Sequence, residues 1–293
     1  SDETGVISNL EEQNLLQKIN NNAVKLEDYV NGSAKRGIVS GLSEAFTISK
    51  ETKNKLIAND VNNKNIIKPL LQGRDIKPYQ TIKPHKYLIF IPWHFPLHND
   101  NSIIGASASA ENEFMSKYPF IYKHLLQFKD KLSNRNKVET GIRYEWYAMQ
   151  RYASDYYHEF EKPKIMYQVF QVKPCFMYDT DGLYCNNSMW FIPSDDMVLL
   201  GLLNSKMGWW LISKYCTAIQ NGYQLIWKYF SQIPIVSGDE NLRKQITELV
   251  NKIISLKKEN SSANTSNLES QIDQLIYQLY KLTEEEIKIV ERG

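Results

Sequence analysis

Residues 66–79, IIKPLLQGRDIKPY, open on an apolar run that would extend as a strand, yet two prolines, a glycine and a cluster of charges interrupt it within fourteen positions. Proline removes a backbone donor and fixes φ, while glycine admits turns that other residues resist, so the segment reads as a strand entering a turn. The surroundings are basic. Lys64, Lys68, Arg74, Lys77, Lys83 and Lys86 lie between residues 64 and 86 with Asp75 as the only acid. Arg74 and Lys77 are placed either to touch phosphates or to pair with Asp75 and lock the turn.

Just downstream, KYLIFIP (86–92) is a continuous apolar run typical of a buried strand. Upstream, GIVSGLSEAFTI (37–48) reads as strand, turn and strand, and NLEEQNLLQKIN (9–20) as a lead-in helix with Asn9 and Glu12 spaced as a capping box. Residues 94–113 read as a long polar loop, and SKYPFIYKHLLQFKDKLSNR (116–135) as an amphipathic helix. KPKIMYQVFQ, CFMYDT and LYCNNSMWFIP then read as short strands, with Asp181-Gly182 as a turn. DDMVLLGLLNSKMGWWLISKYC (195–216) is a long apolar helix capped by Ser194 or Asp195. Beyond Gly238, leucine and isoleucine at helical spacing on either side of NSSANTSN predict an antiparallel helical hairpin. The whole predicts an α+β fold with a mixed sheet and packed helices, divided into a helical lead-in (1–30), a central domain (31–237) and a C-terminal hairpin (238–293).

The 293 residues, 42% apolar and 23% charged, suffice for a substantial core. No apolar run reaches the length of a membrane span, which predicts a soluble, cytoplasmic protein. The start at Ser1 suggests a processed protein or an excised fragment whose neighbouring domains are left out. Cys175, Cys185 and Cys216 match neither a disulfide framework nor a zinc motif. Glycine-rich phosphate loops, HExxH and GxSxG are missing from the sequence. His85, His94 and His98 lack a matching ligand cluster and read as structural, and Glu286 and Lys288 belong to a helix start capped by Thr283. No catalytic residue and no metal are therefore expected.

The net charge of +2 gives no whole-protein argument for nucleic acid. Aromatic residues are dense, with eighteen tyrosines and six tryptophans, and interleave with Arg and Lys in GIRYEWYAMQRYASDYY (141–157) and with amides in TAIQNGYQLIWKYF (217–230). Flat stacking faces beside cationic and amide donors suit phosphates and base edges, although core packing accounts for many aromatics equally well.

Taken in order, GIVSGLSEAFTI, IIKPLLQGRDIKPY, YPFIYKHLLQFKDKLSNR, EKPKIMYQ, VLLGLLNSKMGWWL, FSQIPI and IDQLIYQLYKLTEEEIKIVE resemble the TaqI-like C-terminal specificity domain of type IIG restriction-modification enzymes and related phage-defence adenine methyltransferases. The resemblance runs from about residue 24 to the end. It implies a target recognition domain with a mixed, curved sheet that binds double-stranded DNA, and a preceding adenine methyltransferase domain that holds S-adenosylmethionine. The FxGxG-like and NPPY motifs of that domain are missing from this sequence, so no cofactor is expected in this chain. Under this reading Arg143, Arg151, Gln168, Gln171, Gln220 and Asn221 are assigned to base readout. Lys77, Lys162, Lys164, Lys173 and Lys228 are assigned to phosphates, and Trp146, Tyr147 and Tyr223 to supporting distorted DNA. The competing reading is a protein-interaction module whose helices dock a methyltransferase without touching bases.

Overall fold

The computed structural model describes residues 2–293, with side chains from residue 9 onward. Its organising element is a four-stranded sheet in the order Lys35–Arg36, Met189–Ile192, Lys164–Gln168, Phe176–Asp179, with every neighbour antiparallel. The sequences of its central strands, KIMYQ and MWFI, are apolar on both parities, and alternate side chains enter opposite faces of a strand. Both faces are therefore covered. Ile165, Tyr167 and Ile192 enter one core with the helices, while Met166, Met189 and Phe191 enter a second core with Phe46, Leu88, Tyr144 and Phe160.

The packing divides at this sheet. The helical core joins Leu15 and Ile19 of the helix Asp2–Asn20 to Leu199, Leu211, Ile246, Ile276 and Val290 of the C-terminal helices. The lead-in and the C-terminal segment thus share one interior with half of the central sheet.

The second core holds a mixed sheet in the order Thr47–Ser49, Lys86–Ile89, Ile67–Leu71, Tyr184–Cys185, of which the last pair is parallel. The opening segment leaves this sheet as a short 3-10 turn, Gly73–Asp75. Gly73 does not use a left-handed backbone. A Cβ there would lie 2.5 Å from Nε2 of Gln168, so the glycine makes room for that amide. Arg74 donates to the Gln72 side chain at 3.0 Å, and Asp75 faces His85 at 3.6 Å, in place of the expected Arg74–Asp75 pair. From the turn, Ile76 enters the second core and Tyr79 the helical core, while the Gln80 amide donates to Ser261 O at 3.0 Å. The segment is a strap across both interiors.

Several helices are shorter than their apolar periodicity predicts. The expected helix 195–216 is two, Met197–Leu203 and Lys206–Tyr215. The break has a polar cause: the Asn204 amide donates to Phe176 O and accepts from Phe176 N, both at 2.9 Å, and Ser205 starts a new helix by capping Gly208 N at 3.1 Å. Its upstream cap is Asp196, which accepts from Val198 and Leu199, and not Ser194 or Asp195. The loop predicted over 94–113 already turns helical at Ala108–Lys117, and Pro119 and Lys129 start the separate helices Pro119–Leu126 and Lys129–Ser133. Within 37–48, a short helix Ser43–Phe46 takes the place of the expected turn. Asn9 lies inside the first helix, which begins at Asp2, so it does not cap it.

The C-terminal hairpin is present as Glu240–Glu259 and Ser266–Leu279, and a third helix, Glu284–Arg292, follows. Thr283 and Glu286 form the reciprocal capping box that the sequence predicts. The third helix closes back onto the first through Lys18–Glu286 at 2.5 Å and Arg292–Glu11 at 2.9 Å.

His124 ties the helix Pro119–Leu126 to the second core through Ala45 O, 3.0 Å from Nε2. Burial pushes its pKa below the ordinary histidine value, outweighing that hydrogen bond. The unfolded chain then takes up the proton first, so this site removes stability as pH falls through about 6.5 towards the lower folded-state value. His124→Gln is expected to flatten that loss, read as the change in urea midpoint between pH 7 and about pH 5.

Candidate nucleic-acid interface

The segment 135–151 is built around the buried charges Arg135, Glu139 and Glu145. Arg135 donates to the carbonyls of Ser40, Trp146 and Ala148, each at 2.7 Å, and to Leu132 O at 3.0 Å. Burial pushes its guanidinium down to about 10. These bonds pin the loop backbone from within.

Glu139, 7% exposed, sits at the surface edge of the same loop and gathers cations around it. Arg151 donates to its two oxygens at 2.9 and 3.0 Å, and Arg143 to one of them at 3.2 Å. The hydrogen bond from Arg151 holds the Glu139 carboxyl below the usual carboxylate range. The outer parts of both arginines stay in solvent, with side chains 63% and 51% exposed. Arg151 also lies 5.9 Å from the Trp93 ring centre and, with Arg36 and Tyr152, lines an open cleft of about 390 Å³. Arg36 reaches the cleft because its strand is the edge of the central sheet, paired to Trp190.

A second surface is the three-stranded ribbon ordered Thr217–Ile219, Gly222–Gln224, Phe170–Gln171. Its register puts Phe170, Gln224 and Thr217 in one row, and directly opposed residues share a face. Phe170 and Val172 are 60% and 63% exposed on the outside, whereas Gln171 and Tyr223 turn inward. Gly222 permits the pairing, since a Cβ there would stand 2.0 Å from Gln171 O. At the hairpin tip Gln220 and Asn221 are exposed, and Asn221 adopts φ +64, a conformation asparagine tolerates better than most residues. The ribbon continues the strand carrying Gln168, and Gly37 beside the arginine cleft donates to Met189, the partner of Gln168.

The structure sorts the sequence assignments. Arg143 and Arg151 are brought together, Gln220 and Asn221 share a tip, and Lys77, Lys162, Lys173 and Lys228 are exposed. Gln168 is half-buried beside Gly73. Gln171 is not available for readout. It is 3% exposed, its amide donates to Gln168 O and Cys175 O, and its oxygen accepts from Cys175 N. Lys164 is not available to phosphate: its side chain is fully buried, opposite Asp179 at 2.5 Å and donating to Phe160 O. Tyr147 is buried with its hydroxyl on Phe95 O, Trp146 is 8% exposed with Nε1 on Glu111, and Tyr223 packs edge-on against Trp209. These three side chains support the interior instead.

Arg36, Trp93, Phe170, Val172 and Gln224 escape a sequence reading. In QVFQVKP the apolar side chains Phe170 and Val172 face out and the amide of Gln171 faces in, the reverse of ordinary alternation. The loop 94–107 is held from outside: buried Glu145 accepts from His94 N at 2.6 Å and Ser107 N at 2.8 Å and faces His94 Nδ1 at 2.9 Å. His94 is thereby structural. Among the described residues no group of three or more His, Cys, Asp or Glu could hold a metal, and no helix is long and apolar enough to cross a membrane.

Over 250 residues, 82% of this chain and 76% of the relative, the sequence is 27% identical to the type II methyltransferase M.MjaIV of Methanocaldococcus jannaschii. The type IIL restriction-modification enzyme MmeI, solved in complex with DNA, matches over 88% of this chain with a TM-score of 0.53 and 14% identity. The type IIG restriction endonuclease BpuSI matches over 94% with a TM-score of 0.44 and 13% identity. This chain spans 34% and 33% of those two solved chains, about a third of each. Residues 68–235, more than half of the sequence and reaching from the strap past the ribbon, match the family described as the TaqI-like C-terminal specificity domain, and the chain belongs to that family.

Proposed function

We propose that this chain recognises a double-stranded DNA target for a site-specific adenine methyltransferase of a restriction-modification system. The observation that carries the reading is the ribbon. A twisted β-ribbon fits the major groove, and this one holds Phe170, Val172, Thr217 and Gln224 on its outer face with Gln220 and Asn221 at its tip. Amides can pair with adenine edges, and apolar side chains can meet thymine methyl groups. The paired Arg143 and Arg151 form the second contact, either to guanine or to the backbone, and the exposed Lys77, Lys162, Lys173 and Lys228 neutralise phosphates.

Methyl transfer is assigned to an adjoining catalytic domain, which would also hold S-adenosylmethionine; this chain would orient the duplex for it and support the DNA while a base is extruded. Membership of a specificity-domain family supports that division of labour.

Enrichment sequencing of random duplex DNA bound by this chain at moderate salt tests the reading. A reproducible motif of about 5 to 8 base pairs is expected. Gln220→Ala and Gln224→Ala should relax the motif at defined positions, whereas Lys77→Ala and Lys173→Ala should weaken all sequences alike and lower the salt slope by about one each. Binding with no enrichment in any variant would overturn base readout, and no binding at all would favour a module that docks a partner protein.

A further inference from the structure

Beneath the ribbon, on the side away from its outer face, lies a cavity of about 370 Å³ between the helices Lys206–Tyr215, Ser266–Leu279 and Glu284–Arg292. Its chemistry is unlike that of the arginine cleft. Four aromatic side chains, Tyr79, Trp209, Trp210 and Tyr223, and three carboxylates, Glu269, Asp273 and Glu291, line it, with Lys206 as the one cation. The walls are therefore electronegative, both as charge and as aromatic faces.

A second observation is independent of that acidity. The indole nitrogen of Trp210 is buried and has no hydrogen-bond partner among the described residues. A buried donor left unpaired costs free energy, and native interiors rarely leave one so. Its edge borders the cavity beside Gly293, where a Cβ would lie 3.0 Å from Cδ1 and 3.5 Å from Nε1. The site thus presents carboxylates and aromatic faces for a cation, with one unpaired N–H in its wall.

The existing partners do not use up this capacity. Among the described residues Asp273 accepts only a backbone bond, from Lys206 N at 2.9 Å, and Lys206 Nζ stands 3.9 Å from Glu291 with its side chain 63% exposed. Burial raises the pKa of Asp273 despite Lys206, as expected of a carboxylate short of countercharge. Glu269 is held by Thr265 and Glu291 by the Tyr277 hydroxyl, which fixes where their second oxygens point relative to the helices.

We propose that this cavity binds an organic cation that carries a carbonyl oxygen, the arrangement of an arginine or lysine residue within a peptide. The cation meets Asp273 and Glu269 and lies against Trp209 and Tyr223, and the carbonyl accepts from Trp210. Because Tyr223 belongs to the inner face of the ribbon, an occupied cavity braces the ribbon from below.

Calorimetric titration of this chain with N-acetylargininamide, N-acetyllysinamide and N-acetylalaninamide tests the site without DNA, so it stands or falls apart from the target-recognition reading. One-to-one binding of a cationic amide, about tenfold or more weaker in Asp273→Asn and in Glu269→Gln at unchanged melting temperature, is expected. The Trp210 indole N–H resonance, assigned by its loss in Trp210→Phe, should shift as it gains an acceptor. A preference between the arginine and lysine amides then identifies the side chain. Absence of binding, equal binding of the alanine amide, or affinity indifferent to both carboxamide variants overturns the proposal.

Discussion

Replacing Lys164 by methionine is expected to destabilise the protein by about 3 to 5 kcal/mol, the usual cost of removing one partner of a buried ion pair. The side chain of Lys164 is fully buried and that of Asp179 is 2% exposed, in direct register across two strands of the central sheet. Methionine fills most of the volume but leaves the Asp179 carboxylate without its cation. That carboxylate cannot turn outward, because it also accepts from Asp181 N at 3.0 Å and Leu183 N at 2.9 Å and shapes the turn at Gly182. Urea unfolding should show a lower midpoint at an unchanged slope, and adding Asp179→Asn should recover part of the loss, since it removes the unpaired charge while its one oxygen keeps one of the two backbone bonds. A Lys164→Met protein of native stability with a reduced salt slope for DNA would restore the phosphate assignment.

Gly222→Ala is expected to lower affinity for the preferred DNA sequence by about 100-fold, the worth of one or two good base contacts, while most of the fold persists. The clash is with backbone, since the new Cβ would meet Gln171 O at 2.0 Å and Gln171 C at 2.8 Å. A flexible neighbour could move aside, but these atoms belong to the ribbon's own partner strand. The strand Gly222–Gln224 must therefore separate from Phe170–Gln171, and the row Phe170, Gln224, Thr217 is lost. Among the described residues the ribbon meets the cores only through Tyr223, so thermal unfolding should move far less than DNA binding. Near-native affinity and motif in this variant would remove the ribbon from the proposed interface.

The fold class was legible because the apolar runs are strong. KIMYQ, KYLIFIP and the leucine spacing beyond Gly238 point to strands and helices that are present. Lengths were less legible, because the breaks depend on long-range polar partners. Asn204 ends a helix by bonding Phe176, 28 positions away, and no periodicity carries that information. The site divided along the same line. Arg143 and Arg151 are visible as charges, but their convergence on Glu139 is tertiary. Lys164 is indistinguishable in sequence from the exposed Lys162, and only the opposing Asp179 takes it inside. Gln171 misleads for a related reason, its amide being consumed by Cys175 and Gln168.

The strap from Gln72 to Gln80 bears on how specificity could be exchanged between relatives. It rests under Gln168 at Gly73, enters one interior with Ile76 and the other with Tyr79, and is tied at Gln80 to the turn between two C-terminal helices. A transplant that replaced only the ribbon and the 135–151 loop would keep the recipient's strap beneath a foreign residue 168 and mismatch both seats at once. The graft that preserves packing takes residues 66–80 together with the surface they carry, so the smallest exchangeable unit extends from Ile66 through the ribbon rather than from loop to loop.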